Sequence, residues 1–354
     1  MPARPTRRNV RTSFSAMTKI KMSLLLGSLL TATALAGTAP KHDLLLCAAI
    51  NKNYVIGSKI VTQNGIFQRG SDGSFQHIGL NFPSILNLSA DPRDPRVFYL
   101  ATLNGCVFTK DGGQTWRIGT SWDMTEPKDV CVDPNAPDNI YLALPDGIAV
   151  SPDRGATWPR RENGLPNRGK YTQTIEVDRT TAGRVLAGCE SGIYLTEDGA
   201  QSWHRLLPTK AAVDDIEQSP LDPQLWLTVT QSDGAHLSHD GGRTWQKIPG
   251  VPADEALYNV AFDATNPQRW AIASWHYGVL TTEDGGHTWT ARNAGLPADG
   301  HVFKLGIDPD TGRLYVSVYQ NAIHVSDDFG RTWRAAGLEG SSVYNFVFVP
   351  KTAK

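Results

Sequence analysis

Residues 260–289 read VAFDATNPQRWAIASWHYGVLTTEDGGHTW, and this stretch decides the fold. It opens on alternating apolar residues, the period-two pattern of a strand with one packed side and one wet side. An Asp-Ala-Thr-Asn-Pro turn at Asp263 ends that strand. A second apolar run, a short loop and a third run follow. The turn TEDGGHTW then delivers Trp289 to the start of a fourth strand. No part of the stretch carries the 3.6-residue period of a helix.

The same unit recurs along the chain. Its closing turn appears as TKDGGQTW ending at Trp116, SPDRGATW at Trp158, TEDGAQSW at Trp203, SHDGGRTW at Trp245, TEDGGHTW at Trp289 and SDDFGRTW at Trp333. The tryptophans lie 42, 45, 42, 44 and 44 residues apart. A degenerate copy, GIFQRGSDGSF, puts Phe75 where the Trp is expected, 41 residues before Trp116. The first turn recurs at Asp91, Asp133, Ser219, Asp263 and Asp308, and a Gly-Leu-Pro turn follows the fourth strand at Gly164 and Gly295. Four short strands per repeat of about 43 residues make a propeller blade. The expectation is an all-β chain: one β-propeller of seven four-stranded blades over residues 44–350.

The closing turn has its own chemistry. Asp111, Asp153, Asp198, Asp240, Asp284 and Asp328 can accept bonds from turn N–H groups and from flanking Ser or Thr hydroxyls. A Gly at the next fixed position permits positive φ, with Ala200 as the exception. The pattern S/T-x-D-x-G-x-T-W resembles the Asp box, or bacterial neuraminidase repeat. Chains of this kind include sialidases, xyloglucan-active glycosidases, sortilin-type receptors and the photosystem II assembly factor family. The resemblance covers residues 44–350 and implies the propeller fold with boxes on the rim, away from the binding face. It does not imply a sialidase: no Arg-Ile-Pro-like segment precedes the first box. It does not imply a xyloglucanase either, since that resemblance would need two propellers. Single-domain propellers of the assembly-factor or sortilin type are the better likeness.

Residues 1–36 differ from the rest. They hold Arg4, Arg7, Arg8, Arg11, Lys19 and Lys21, no acidic residue, and an apolar run from Met22 to Ala36. That is the pattern of a secretory signal peptide, too short and too rich in Gly, Ser and Thr for a membrane span. Met17 could serve as the start, leaving residues 1–16 untranslated. Residues 37–43 read as a linker and 351–354 as a tail. An exported protein, periplasmic or extracellular, is expected. The chain carries 34 Lys+Arg against 35 Asp+Glu; without the signal the balance is near −7. That argues against nucleic acid as a partner. Cys47, Cys106, Cys131 and Cys189 form no CxxC pair, so no zinc site is expected, and no cofactor. A disulfide is possible, its pairing open. Two segments, 44–50 and 343–349, read as surplus strands of one blade. The expectation is that the C-terminal strand joins the N-terminal ones there, closing a monomeric ring.

Candidate sites come from the first strand of each blade, which should line the axis. Four residues before the closing Asp-type position stand Asn87, Asp129, Thr174, Asp215, Asn259, Lys304 and Asn345. Two before it stand Ser89, Cys131, Glu176, Glu217, Ala261, Gly306 and Val347. The first set is polar throughout, so both sets are expected to face a channel. Asp129, Glu176, Asp215 and Glu217 are the candidate catalytic acids, since crowded carboxylates can act as a glycosidase acid/base pair. They could equally line a wet channel. Asn87, Asn259, Lys304 and Asn345 are ligand-binding candidates. Trp122 and Trp275 have no place in the repeat. With Tyr171, His276, Tyr277, His301 and Tyr319 they fall in loops expected on the face opposite the boxes, a platform for sugar rings or protein side chains. Arg160, Arg161, Arg168 and Lys170 form a basic loop there. No GxSxG, HExxH, GxGxxG or P-loop is present. The leading expectation is a non-catalytic scaffold for a protein or glycan partner. A channel glycosidase and a lectin are the alternatives.

Overall fold

The structure, a computed structural model, describes residues 40–50, 63–82, 84–209 and 211–351. The signal segment, residues 1–36, lies outside the described residues, as do the first residues of the linker and the end of the tail. What is described is a seven-bladed propeller. The innermost strands are Ile85–Asp91, Asp129–Val132, Thr172–Val177, Val213–Gln218, Leu257–Phe262, Val302–Ile307 and Ser341–Pro350, in blades 1 to 7. Each borders the next, and the seventh borders the first.

Six blades are four-stranded antiparallel sheets. Blade 2 has three named strands and an isolated bridge, Ala149 to Arg160, in place of the fourth. The cause is local. Pro159 follows box Trp158, so the fourth strand lacks a ladder donor at that point. Pro159 still accepts from the Val150 N–H at 3.0 Å.

Blade 7 closes the ring as expected. Ser341–Pro350 pairs antiparallel with His42–Ile50, with Cys47 opposite Asn345. Two N-terminal strands complete the sheet. Closing the ring between the chain ends leaves no innermost strand without a neighbouring blade. Asp310, in the turn of blade 6, accepts from the N–H groups of Lys41 at 2.7 Å and His42 at 3.0 Å. The four cysteines are unpaired, and burial raises every thiol.

Each complete box works as its chemistry suggests. Asp111 accepts from the Thr109 hydroxyl (2.8 Å), the Thr115 N–H (2.9 Å) and the Thr115 hydroxyl (2.6 Å). The Thr115 bonds come first in holding its carboxyl down at about 2. Asp153, Asp198, Asp240, Asp284 and Asp328 repeat the pattern. In the degenerate copy only Ser74 bonds to Asp72, through its N–H and hydroxyl. The box Trp packs on the preceding blade: Trp203 of blade 3 lies with Tyr141, Ile148 and Val150 of blade 2. Trp226 and Trp270, on second strands, are fully buried.

The Gly-Leu-Pro turns lock one blade to the next. The Ala294 carbonyl, from blade 5, accepts the N–H of box Trp333 in blade 6 at 2.9 Å. Gly295 follows with φ +98°, and a Cβ there would sit 2.3 Å from the Trp333 carbonyl oxygen. Gly164 meets Trp203 in the same way. Backbone cannot yield to such a clash as a flexible side chain can. Gly295→Ala is therefore expected to lower unfolding free energy by more than about 2 kcal/mol. Gly250→Ala, also at positive φ but with open space around it, should cost about 1 kcal/mol. Urea denaturation of both variants checks the ordering.

Candidate functional site

The innermost strands enclose a channel of about 770 Å³. All fourteen positions expected to face it are among the residues that line it. The structure also adds a third ring. In blades 1, 3, 4, 5 and 6 the ladder between the first two strands slips by one residue near its start. Blade 2 does the same: Lys128 donates to Ala143, the residue opposite Asp129. In blade 7, Tyr344 lies at the equivalent slip. A β-bulge of this kind turns two consecutive side chains toward the same side. The extra residues are Leu86, Lys128, Gln173, Asp214, Tyr258, Phe303 and Tyr344. Six of them line the channel at the mouth away from the boxes. Tyr258 packs at 5.1 Å on Phe303. Strict alternation hides this ring, because a bulge shifts the parity by one.

The middle ring is a structural clasp. Asn345 donates to Asn87, and Asn87 donates to Asp129. Asp129 also accepts from the Ile175 N–H at 2.9 Å and the Thr174 hydroxyl at 3.3 Å. Asp215 accepts from Asn259 at 2.7 Å and from the Val260 N–H at 2.9 Å. Asn259 accepts from the Leu305 N–H at 2.8 Å. Each link crosses from one blade to the next. Asp129 thus has both oxygens engaged within the fold, although burial first of all still raises its carboxyl. Lys304 interrupts the ring, reaching only the Tyr258 carbonyl at 3.4 Å.

At the box-side mouth Glu176 and Glu217 face each other across Arg179. One Arg179 nitrogen lies 3.7 Å from Glu176 and 3.4 Å from Glu217. Burial is the main cause that raises both carboxyls, Glu176 to about 7; Arg179 opposes the rise, and neighbouring carboxylates add to it. The sequence set no arginine in the channel, yet Arg179 reaches it from the first turn of blade 3. A Glu-x-x-Arg spacing, Glu176 to Arg179, cannot by itself reveal that reach.

The opposite mouth carries the aromatics. His301 stacks on Trp275 at 4.3 Å and 4°. Tyr258 and Tyr319 abut the same indole at 5.8 and 5.5 Å, and Phe303 continues to Tyr344 at 6.0 Å. The expectation that Trp275 has no packing role is therefore corrected: it is the hub of a cluster spanning blades 5 to 7. His276 touches His301 edge-on and pairs with Glu255 at 2.8 Å. Tyr277 is exposed. Trp122, 89% exposed, stands apart on the loop between blades 1 and 2. The basic loop is neutralised at two residues, with Arg160 on Asp146 at 2.8 Å and Lys170 on Glu162.

Asp214, from the bulge ring, was not singled out by sequence. It is 8% exposed, and its Oδ2 is buried without a hydrogen-bond partner. Burial pushes its carboxyl up to about 7, with Lys304 opposing and Asp215 adding to the rise. Burial first, then the Asp214 charge, also raises the phenols of Tyr171 and Tyr258. Among the described residues, no three His, Cys, Asp or Glu side chains converge as metal ligands. Nor is any helix there long and apolar enough to cross a membrane.

The BNR/Asp-box repeat family matches residues 236–247, the box of blade 4. No curated protein matches the sequence. Solved structures show the fold. The GH74 xyloglucanase from Xanthomonas campestris superposes with a TM-score of 0.63 at 17% identity, over 79% of this chain and 50% of that one. This chain thus spans half the length of that enzyme. YCF48 bound to D1 peptide gives a TM-score of 0.56 at 16% identity, over 77% of this chain and 95% of that one. YCF48 from Cyanidioschyzon merolae gives 0.56 at 14% identity, covering 75% and 94%. The chain is a seven-bladed propeller with Asp-box repeats.

A raised carboxyl makes the native state hold its proton where the unfolded chain has released it. Stability then falls as pH rises from about 4 toward about 7. Asp214, facing Lys304, Asp215, Tyr171 and Tyr258, contributes one such slope. Asp214→Asn should remove it: little gain in unfolding free energy at pH 4, and on the order of 2–4 kcal/mol at pH 8. Guanidinium titrations at both pH values test this, and parallel curves would refute it.

Proposed function

We propose that the protein is a non-catalytic binding propeller that holds an exported protein partner at the channel mouth opposite the boxes. The observation that carries this reading is the aromatic cluster around Trp275, which gathers side chains from three blades at the mouth where the buried Asp214 has an oxygen without a hydrogen bond. The middle-ring carboxylates support it from the other side. Asp129 and Asp215 are held by neighbouring blades and are poorly placed to exchange protons with a substrate. The length match supports it too: nearly all of YCF48, bound to a peptide in its solved structure, is covered, against half of the xyloglucanase.

A protein partner fits the cluster better than a glycan. Sugar rings stack on a bare indole face, and His301 takes one face of Trp275. Trp122 alone offers a bare indole for a lectin role. Export is part of this proposal, resting on the basic and apolar residues of 1–36.

One observation favours a hydrolase as second reading. Glu176 and Glu217 are raised carboxyls sharing one guanidinium nitrogen, 3.7 and 3.4 Å away, so their bound oxygens lie no farther apart than the roughly 9.5 Å upper limit of glycosidase pairs. Arg179 between them favours a structural ion-pair instead.

A peptide array of exported proteins, a glycan array and a polysaccharide hydrolysis screen separate the readings. The expected result is peptide binding without turnover, reduced about tenfold or more in Trp275→Ala and unchanged in Trp122→Ala. Turnover that disappears in Glu217→Gln would establish the hydrolase. Sugar binding lost in Trp122→Ala would establish the lectin.

A further inference from the structure

Among the described residues, Tyr141, His236, Asp263 and Ser342 each leave a buried polar atom unpaired, but Asp263 still accepts through its other oxygen, and Asp214 accepts through neither. Every box Asp and the middle-ring acids accept several bonds. Asp214, one residue before Asp215 and at the bulge, accepts none among the described residues. Its Oδ2 is fully covered, while the residue lines the channel, so only the other oxygen can meet a visitor. Tyr258 and Phe303 stand at the equivalent bulge positions of the next two blades and pack on each other at 5.1 Å, whereas the Tyr171 ring is already covered by Lys128 at 5.7 Å. Lys304 tempers the charge but donates to the Tyr258 carbonyl at 3.4 Å rather than to Asp214. A buried carboxylate without a partner costs on the order of 1–3 kcal/mol or more, and an Asn of the same shape would avoid the charge.

Building on the mouth-binding reading, we propose that Asp214 and the rings of Tyr258 and Phe303 form a pocket for a lysine ammonium of the peptide partner. Each part of the pocket suits that group. The carboxylate supplies the counter-charge, and the ring faces attract a desolvated cation. With one oxygen covered, Asp214 cannot offer the two-pronged grip that a guanidinium prefers, whereas a compact ammonium needs a single acceptor. The near −7 balance of residues 37–354 steers basic segments toward the protein. An amino sugar carries the same ammonium, but its ring would compete for the stacked face of Trp275.

NMR titration of the full chain tests the pocket. The probes are a capped Gly-Lys-Gly peptide, its Nζ-acetylated form, a capped Gly-Arg-Gly peptide and a glucosamine tetramer. The lysine peptide should bind with shifts at Tyr258 and Phe303, and acetylation or the Arg replacement should weaken it about tenfold. Asp214→Asn, which is expected to stay folded, and Tyr258→Leu should each weaken it comparably. Equal binding of the acetylated peptide, unaltered binding by Asp214→Asn, or no binding of the lysine peptide would overturn the proposal. So would tighter binding of the glucosamine tetramer. If the lysine peptide fails while array binding is still lost in Trp275→Ala, the ammonium pocket falls and the mouth-binding reading stands.

Discussion

The structure depends on how seven strands meet at one axis. Their inner edges have no further sheet to pair with, and they leave about 770 Å³ between them that side chains do not fill. The middle ring resolves this. An amide or carboxylate of one blade accepts an N–H or amide donor of the next, as Asp215 does from Val260 and Asn259 from Leu305. These links hold neighbouring blades in register at the axis, while box tryptophans do so at the rim. Between the two lies a series of separate apolar clusters, each shared by adjacent blades. Stability is therefore distributed around the ring rather than held in one core.

The clasp also decides what the channel can do. An acid held by the next blade is a poor proton shuttle, however crowded it looks in sequence. That is why Asp129, with both oxygens engaged, and Asp215, with Oδ2 held by Asn259 and the Val260 N–H, move from catalytic candidates to structural parts, while Glu176 and Glu217, two residues closer to the box side, keep raised carboxyls and an arginine between them. The two mouths thus differ. One holds an ion pair on a charged turn; the other holds rings and an acid without partners.

Much of this was legible in the chain. The box spacing gives the blade count, and the surplus strand at 343–349 gives the closure. The polar ring is visible because its positions are polar in all seven blades. What sequence could not show has two physical causes. A bulge changes side-chain parity without a signature residue, so Asp214, Phe303 and Tyr344 looked like packed positions. Contacts between loops of different blades depend on how blades are rotated about the axis, so Trp275 looked solitary while it stacks on His301. The same cause hid Arg179.

The bulge ties these points together. Without it, the first residue of each innermost strand would point into the blade, and the mouth would be lined by backbone. With it, seven side chains are turned toward one end of the channel, six of them lining it, and no clasp bond or box bond uses them. They are Leu, Lys, Gln, Asp, Tyr, Phe and Tyr. The clasp positions, by contrast, are nearly all Asn, Asp or Thr. A ring freed from structural duty is where a repeat fold can differentiate its blades. Here the differentiation is one-sided: aromatics on blades 5 to 7, and an acid without partners beside them on blade 4. A water-filled lumen requires no such asymmetry, whereas a site for one oriented ligand does.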